Sequence, residues 1–436
     1  MAYSKLIFIS FLCVLAMDVF NQVSSLFGSP AWGFTFLLVL NLASASGLFI
    51  FSRKIQWKSN IPARGLLVIQ LFWLWSLFTF IRGIGSAHDY WDWKVLLLGY
   101  LPSVAISLAV VLGVNLKFSA KLLRFLLFKL FPFSFLFIPF SFAYNDEFYS
   151  RLVMPVCLFV LISPYLIKKW RILVFAVAIT SIAMDVSYRA NALRLMIPLL
   201  LVGLFYFRPI LQSKLMNAVL AGLLCIPLIL LSLGVSGTFN VFAENKFDFE
   251  VGTVLQGETG TSTVSADTRT FLYREVFFSM NKRDSSYLIG EGGAAGYETG
   301  YFVDAVLNEK GRFRSEVGIL NTLLYSGAIG VLFYALVLFL PAYYAINKSN
   351  NRLCKMIGLF LAARWPLSFV EEIAQFDMNF FFLWFMIGLC LSNKFREMTD
   401  EQLARYFGAS RLVPSKLPKW KMPNSRARGK SQLSKL

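Results

Sequence analysis

Six arginines stand at or beside the connections between long apolar runs: Arg189, Arg194, Arg269, Arg274, Arg312 and Arg314, with Glu316 two residues after the last. A seventh, Arg364, lies inside an apolar run that ends in Glu371-Glu372. Guanidinium groups carry permanent charge and forked donors that match phosphate oxygens. A carboxylate beside them can take a proton from an attacking hydroxyl. Ionisable groups at membrane depth are costly unless they pair or line a wet cavity. As a set, these residues suit an anionic phosphate or diphosphate ligand. Taken singly, each has an ordinary structural account. Asp185 and Arg189 are four apart and can pair on one helix face, with Arg194 snorkelling. Arg269 and Arg274 fit a solvated helix face, Arg312 and Arg314 a helix-end anchor, and Arg364 a buried ion pair.

Other chemistries find no support. The glycine-rich turn Gly290-Glu-Gly-Gly-Ala-Ala-Gly296 departs from a dinucleotide fingerprint at Ala295, and Gly429-Lys-Ser lacks the first P-loop glycine because Asn424 stands there. Asp248-Phe-Glu250 is a single acidic pair in a polar stretch. With one histidine, His88, a histidine metal cage is excluded. The five cysteines lie in apolar runs without a CxxC pair, so neither a disulfide framework nor a zinc site is expected. No metal and no cofactor are expected.

The elements that must position these residues are written in the composition. Of 436 residues 57% are hydrophobic and only 15% charged, where a soluble domain carries about 25% charged residues. Apolar blocks of helical membrane length recur at about 6–26, 31–52, 65–82, 95–114, 124–143, 148–167, 171–187, 192–207, 216–236, 317–346, 353–370 and 376–393. This predicts an all-α polytopic membrane protein with about twelve transmembrane helices. Residues 1–236 hold helices one to nine, 237–315 form one large extracytoplasmic loop, 316–393 hold helices ten to twelve, and 394–436 form a basic cytoplasmic tail. Lys/Arg clusters at Arg53/Lys54/Lys58, Lys117/Lys121/Arg124, Lys168/Lys169/Arg171, Arg208/Lys214 and Lys348/Arg352/Lys355 all fall at even-numbered connections. The positive-inside rule then puts both termini in the cytoplasm. The first span reads as a retained helix rather than a signal peptide cleaved after Val23-Ser24-Ser25.

The net charge of +18 does not point to nucleic acid: the tail alone holds 11 Lys/Arg against 3 Asp/Glu, which suits an anionic membrane surface. The large loop is net acidic, 8 Lys/Arg against 11 Asp/Glu, yet it faces the side that the six arginines face. Within it, Thr259–Ser265 reads as a flexible Ser/Thr/Gly stretch. Thr268–Asn281 reads as an amphipathic helix lying on the membrane surface, with Phe271, Val276, Phe277, Phe278 and Met280 as its apolar residues. Tyr273, Tyr297 and Tyr301 are candidates for stacking on sugar.

Several of these features together resemble the O-antigen ligase/polymerase superfamily: twelve spans, one large outer loop between spans nine and ten, and the Ser187-Tyr-Arg189 hairpin. So do Leu288-Ile-Gly-Glu-Gly292 and Ser315-Glu-Val-Gly-Ile-Leu-Asn-Thr-Leu-Leu-Tyr-Ser-Gly-Ala-Ile-Gly330. The resemblance implies a metal- and nucleotide-independent C-type glycosyltransferase of the bacterial inner membrane. Such an enzyme moves glycan from a polyprenyl-diphosphate-linked oligosaccharide in the outer leaflet to an acceptor, with membrane lipid, a flippase and a chain-length regulator as partners. By resemblance Arg189 matches the hairpin arginine, Arg269 the loop arginine, and Glu316 the position where the ligase branch has histidine. That departure favours a repeat-unit polymerase over a ligase. A transporter or flippase and a non-catalytic scaffold are the other classes the layout admits.

Overall fold

Without water, backbone N–H and C=O groups must be satisfied within the chain, so long apolar runs fold as helices. The computed structural model describes residues 15–16, 19–20, 31–53, 55–139, 149, 152–153, 155–184, 189–206, 212–235, 250–255, 258–263, 270–283, 285–300, 309–370 and 374–407. Helix α1 is Ala31–Ser52, α2 Ala63–Ser86, and α3 the continuous but irregular Tyr90–Val114. Then follow α4 Leu116–Phe125, α5 Val156–Ile162, α6 Lys168–Met184, α7 Arg189–Tyr206 and α8 Ser213–Val235. After strands β1 Glu250–Leu255 and β2 Glu258–Thr263 come α9 Thr270–Lys282, α10 Gly318–Asn347, α11 Arg352–Ser368 and α12 Met378–Leu391. Two short helices, α13 Asn393–Glu397 and α14 Asp400–Tyr406, end the described chain.

Among the described residues four stretches are long and apolar enough to cross a bilayer: Ala63–Ser86, Tyr90–Val114, Ser213–Leu233 and Gly318–Asn347. Val39–Ile50, Val156–Tyr165, Asn191–Phe205 and Met378–Leu391 are apolar but shorter. The protein is helical and membrane-associated. Its centre is α11 and α12, whose residues are almost all buried. Helix α12 crosses α3 where two glycines meet. A Cβ on Gly113 would stand 2.0 Å from the Phe385 carbonyl oxygen, and one on Gly388 2.1 Å from that of Val110. Small residues let helix backbones approach where no hydrophobic drive separates lipid from protein.

One local expectation needs correction, and two gain detail. The predicted flexible stretch overlaps β2, which pairs antiparallel with β1 in register Val251↔Ser262 and Thr253↔Gly260. Its β-branched residues alternate with small ones, a pattern that suits a pleated ribbon. The amphipathic segment is helical; it buries Leu272, Val276, Ser279 and Met280, of which the three apolar residues join the protein core, and it leaves Phe278 exposed. The residues counted with the basic tail begin as folded chain. Phe395, Leu403, Ala404 and Phe407 are buried, and Asp400 accepts from the Tyr165 hydroxyl at 2.6 Å and the Arg352 amide at 2.9 Å.

The predicted span ten is not a continuous helix. At Gly327 the backbone turns to φ 67°, ψ −171°, a region that only glycine occupies without strain. The groups freed by this break are taken up by the segment after α9. The Ala328 and Ile329 amides donate to the Tyr287 and Leu288 carbonyls, at 2.8 and 3.2 Å. In return the Glu291 and Gly292 amides donate to the Leu324 and Tyr325 carbonyls, at 2.8 and 2.9 Å. Irregular backbone inside a membrane protein survives only when protein or water satisfies it, and here a loop does so. Arg82 of α2 clasps that loop, donating to the Ile289 and Gly290 carbonyls at 2.7 Å each.

Candidate functional site

The broken helix, the loop docked in it and the start of α3 enclose a cavity of about 380 Å³. That lies near the low end of the roughly 300–1,000 Å³ usual for small-molecule sites. Ser326 and Gly330 reach it from α10 and Gly293 from the docked loop. Val95, Gly99 and Tyr100 reach it from α3, where the helix widens to an i→i+5 turn over Val95–Tyr100. Such wide turns recur at functional sites because they push side chains out of the regular spiral.

Among the described residues three cations line this cavity, Lys94, Arg312 and Arg314, and none of the described lining residues is a carboxylate. Both arginines belong to the run that leads into α10, and its neighbours hold it in place. The Asn321 side chain brackets Ser315 by accepting from its amide at 2.8 Å and donating to its carbonyl at 2.7 Å. The Tyr325 hydroxyl donates to the Phe313 carbonyl. Arg312 exchanges backbone hydrogen bonds with Tyr297, 2.8 Å each way, and its guanidinium donates to the Tyr297 hydroxyl at 3.3 Å. Burial pushes that hydroxyl up to about 12, with Arg312 pulling the other way, so Tyr297 stays a neutral support. Arg314 donates to the Ala374 carbonyl at 2.7 Å. Lys94 rests over the Trp91 ring, 4.7 Å from its centroid.

Much of the remaining wall is aromatic: Trp75, Trp91, Tyr100, Tyr325, Tyr334 and Trp384 are among the lining residues. Among the described residues these, rather than Tyr273 and Tyr297, are the rings available to a ligand. Tyr297 is fully buried, and the Tyr273 hydroxyl, raised by burial, donates to the Phe369 carbonyl at 2.6 Å. Tyr301 lies outside the described residues.

The remaining candidates separate into groups. Glu316 is not among the cavity-lining residues; it sits one turn on from Arg312 and pairs with it at 3.5 Å. Arg194 and Arg364 are both buried and are electrostatic neighbours. Arg194 donates to the Asn191 side chain at 2.6 Å, and Arg364 to that of Asn379 at 3.0 Å. Two lining rings connect them to the cavity: Phe380 lies 5.9 Å from the Arg364 guanidinium, and Tyr334 is an electrostatic neighbour of both arginines. Arg274 is exposed on α9, away from the lining. Arg269, the Arg189 side chain, Asp185, Glu371 and Glu372 lie outside the described residues.

Sequence reasoning missed Lys94, Arg82 and the pair Asp92–Lys310. Asp92 is buried, accepts from Lys310 at 2.7 Å and from the His88 amide at 2.9 Å, and so ties the end of the loop to the α2–α3 hairpin. The signal was there. Trp91-Asp-Trp-Lys94 puts charge beside large rings within a few residues of a span, and Arg82 is a charge in the last turns of an apolar helix. Among the described residues, no group of three or more His, Cys, Asp or Glu side chains is placed to hold a metal ion. No protein-family model matches the chain, and neither a curated protein nor a solved structure is significantly similar to it.

Proposed function

We propose that this chain is an integral-membrane glycosyltransferase that lengthens a glycan carried on a polyprenyl diphosphate. The observation that carries the reading is the cavity that sets Arg312, Arg314 and Lys94 among aromatic rings, between apolar helices. A polyprenyl-diphosphate glycan has three chemistries, and the surroundings offer a partner for each. Lipid-exposed helices suit the prenyl tail, forked cations suit the diphosphate, and ring faces suit sugar.

The reaction is written as an inverting transfer. The acceptor hydroxyl oxygen bonds to the anomeric carbon as the bond from that carbon to the diphosphate oxygen breaks. The electron pair departs on the diphosphate, and the hydroxyl proton passes to Glu316, which is outside the lining but stands in sequence between the lining residues Arg314 and Gly318. Negative charge grows on the leaving group as the bond lengthens, so cations fixed beside it favour the transition state over the ground state. Arg194 and Arg364 add positive potential behind Tyr334 and Phe380. Arg189 and Arg269 complete the set on the strength of the resemblance alone. In this reading the protein has about twelve spans in a bacterial inner membrane. Both termini are cytoplasmic, a flippase supplies the substrate and a chain-length regulator acts on the product.

A transporter is the second reading, favoured by the break at Gly327, because interrupted helices mark substrate paths in secondary carriers. One experiment separates them. Purified protein in bilayer discs, given polyprenyl-diphosphate repeat units and EDTA, is expected to yield long chains on a gel. A requirement for added magnesium or manganese counts against the mechanism. Passage of the lipid across a vesicle membrane without chain growth makes the protein a transporter, and transfer of glycan to a different lipid acceptor makes it a ligase.

Topology has its own test. With the native cysteines removed, single cysteines at Ser262 and Ser286 are expected to react with an impermeant thiol reagent added outside, and one at Ser425 is not. Labelling at Ser425 alone inverts the orientation and moves the cavity to the wrong face.

A further inference from the structure

A second, larger hollow of about 1150 Å³ lies between α1, α2 and α3, adjoining the first cavity at Ser76, Tyr100 and Val104. Its walls are apolar, with Leu42 and Phe49 from α1, Leu77 from α2 and Leu108 from α3. Phe49 and Leu77 are each about half exposed, at 51% and 54%, so the walls need a cover. One end of the groove is different: Arg53 and Lys58 stand there, both exposed, with Gln56 and Ser59 beside them, and no carboxylate is among its described lining residues. Trp57 closes the floor between them, buried and packed edge-on against Trp73 at 5.8 Å.

The depth of the groove selects its occupant. From Leu42 to Ser52 the α1 wall rises about 15 Å at 1.5 Å per residue, and the α3 wall from Tyr100 to Val111 covers a similar distance. That is half of a ~30 Å hydrocarbon core, the depth of one leaflet. We infer that this groove is a binding site for an anionic glycerophospholipid of the leaflet on the Arg53–Lys58 face, with acyl chains along α1–α3 and phosphate on the two cations. This rests only on the membrane-associated character of the chain. It stands whether or not the cavity at Arg312 makes glycan.

The carrier lipid of the proposed reaction is the rival occupant, since Ser76, Tyr100 and Val104 line both hollows. The test uses the full-length protein, stripped of lipid in mild detergent and offered equal phosphatidylglycerol and phosphatidylcholine of identical acyl chains. Lipids retained are counted by native mass spectrometry. Phosphatidylglycerol is expected to be retained about fivefold or more over phosphatidylcholine, in keeping with two cations near a membrane surface. The variant Arg53→Gln/Lys58→Gln, altered only at exposed positions, is expected to keep its helical circular dichroism and lose the preference. Ala105→Trp, which fills the groove, is expected to lower retention of both lipids. Equal retention of the two lipids by the native protein overturns the proposal, as does an unchanged preference in the double variant. Displacement of phosphatidylglycerol by polyprenyl phosphate also overturns it, by giving the groove to the carrier's tail.

Discussion

Glutamine at both Arg312 and Arg314 is expected to slow glycan transfer by about 10³-fold while the protein reaches the membrane at its normal level. One fixed donor facing developing charge is worth about 10²–10³ in rate, and both arginines line the same cavity wall. Arg312→Lys keeps the charge but loses the fork, so a loss of about 10–100-fold is expected there. Glu316→Gln separates two roles. If the carboxylate takes the proton, the rate falls about 10²–10⁴-fold and the limb of the pH–rate profile due to the base disappears. If Glu316 only positions Arg312 across their 3.5 Å pair, the loss resembles that of Arg312→Lys and the profile keeps its shape. Polymer length on a gel, from a strain lacking the native protein, reads the outcome, with Arg428→Ala in the distal tail as a silent control. Variants of the site are expected to leave single repeat units on the acceptor lipid. Normal long chains from the double glutamine variant would remove the arginines from the chemistry and leave them as anchors.

Helix positions were legible because a run of apolar residues has few other ways to satisfy its backbone in lipid. The predicted span at 31–52 is α1 to the residue. What the pattern could not carry is which surface meets which. Leu272, Val276 and Met280 recur every four residues, a period that is the same whether the face meets lipid or protein, and here it meets protein. Arg312 and Arg314 were legible because they crowd the mouth of a span. Lys94 and Arg82 were not, since a cation near a helix end has a ready snorkelling account, and only the fold brings them to the cavity and the loop. The stretch 317–346 looked like one helix because hydropathy is blind to a single glycine's φ. The motif Leu288–Gly292 was visible, but its partner at Leu324–Ile329 is more than thirty residues on, and no local spacing links the two.

That junction predicts the largest loss of stability. Gly327→Val is expected to cost about 3 kcal/mol or more, and Gly290→Ala nearly as much. At Gly327 a side chain would hold a backbone conformation that only glycine adopts freely, at about 1–3 kcal/mol. Its Cβ would also stand 2.4 Å from the Leu288 carbonyl oxygen, and the docked loop would have to leave. Gly290, at φ 70°, faces the same seam from the other side, and its Cβ would lie 2.6 Å from the Gly327 amide nitrogen. Once the loop leaves, the carbonyls of Leu324 and Tyr325 and the amides of Ala328 and Ile329 lose their partners within an apolar helix. Buried unmet groups cost about 1–3 kcal/mol each. Gly85→Ala is the contrast: nothing stands within 4 Å of its Cβ, and alanine suits a helix better, so a gain of about 0.5–1 kcal/mol is expected. Thermal unfolding in detergent gives the ranking, and hydrogen exchange gives the cause. Amides 287–293 and 328–329 should lose protection together in Gly327→Val and keep it in Gly85→Ala. If Gly327→Val melts with the native protein and those amides stay protected, the helix is not broken there, and the wall that the break gives to the cavity is lost with it.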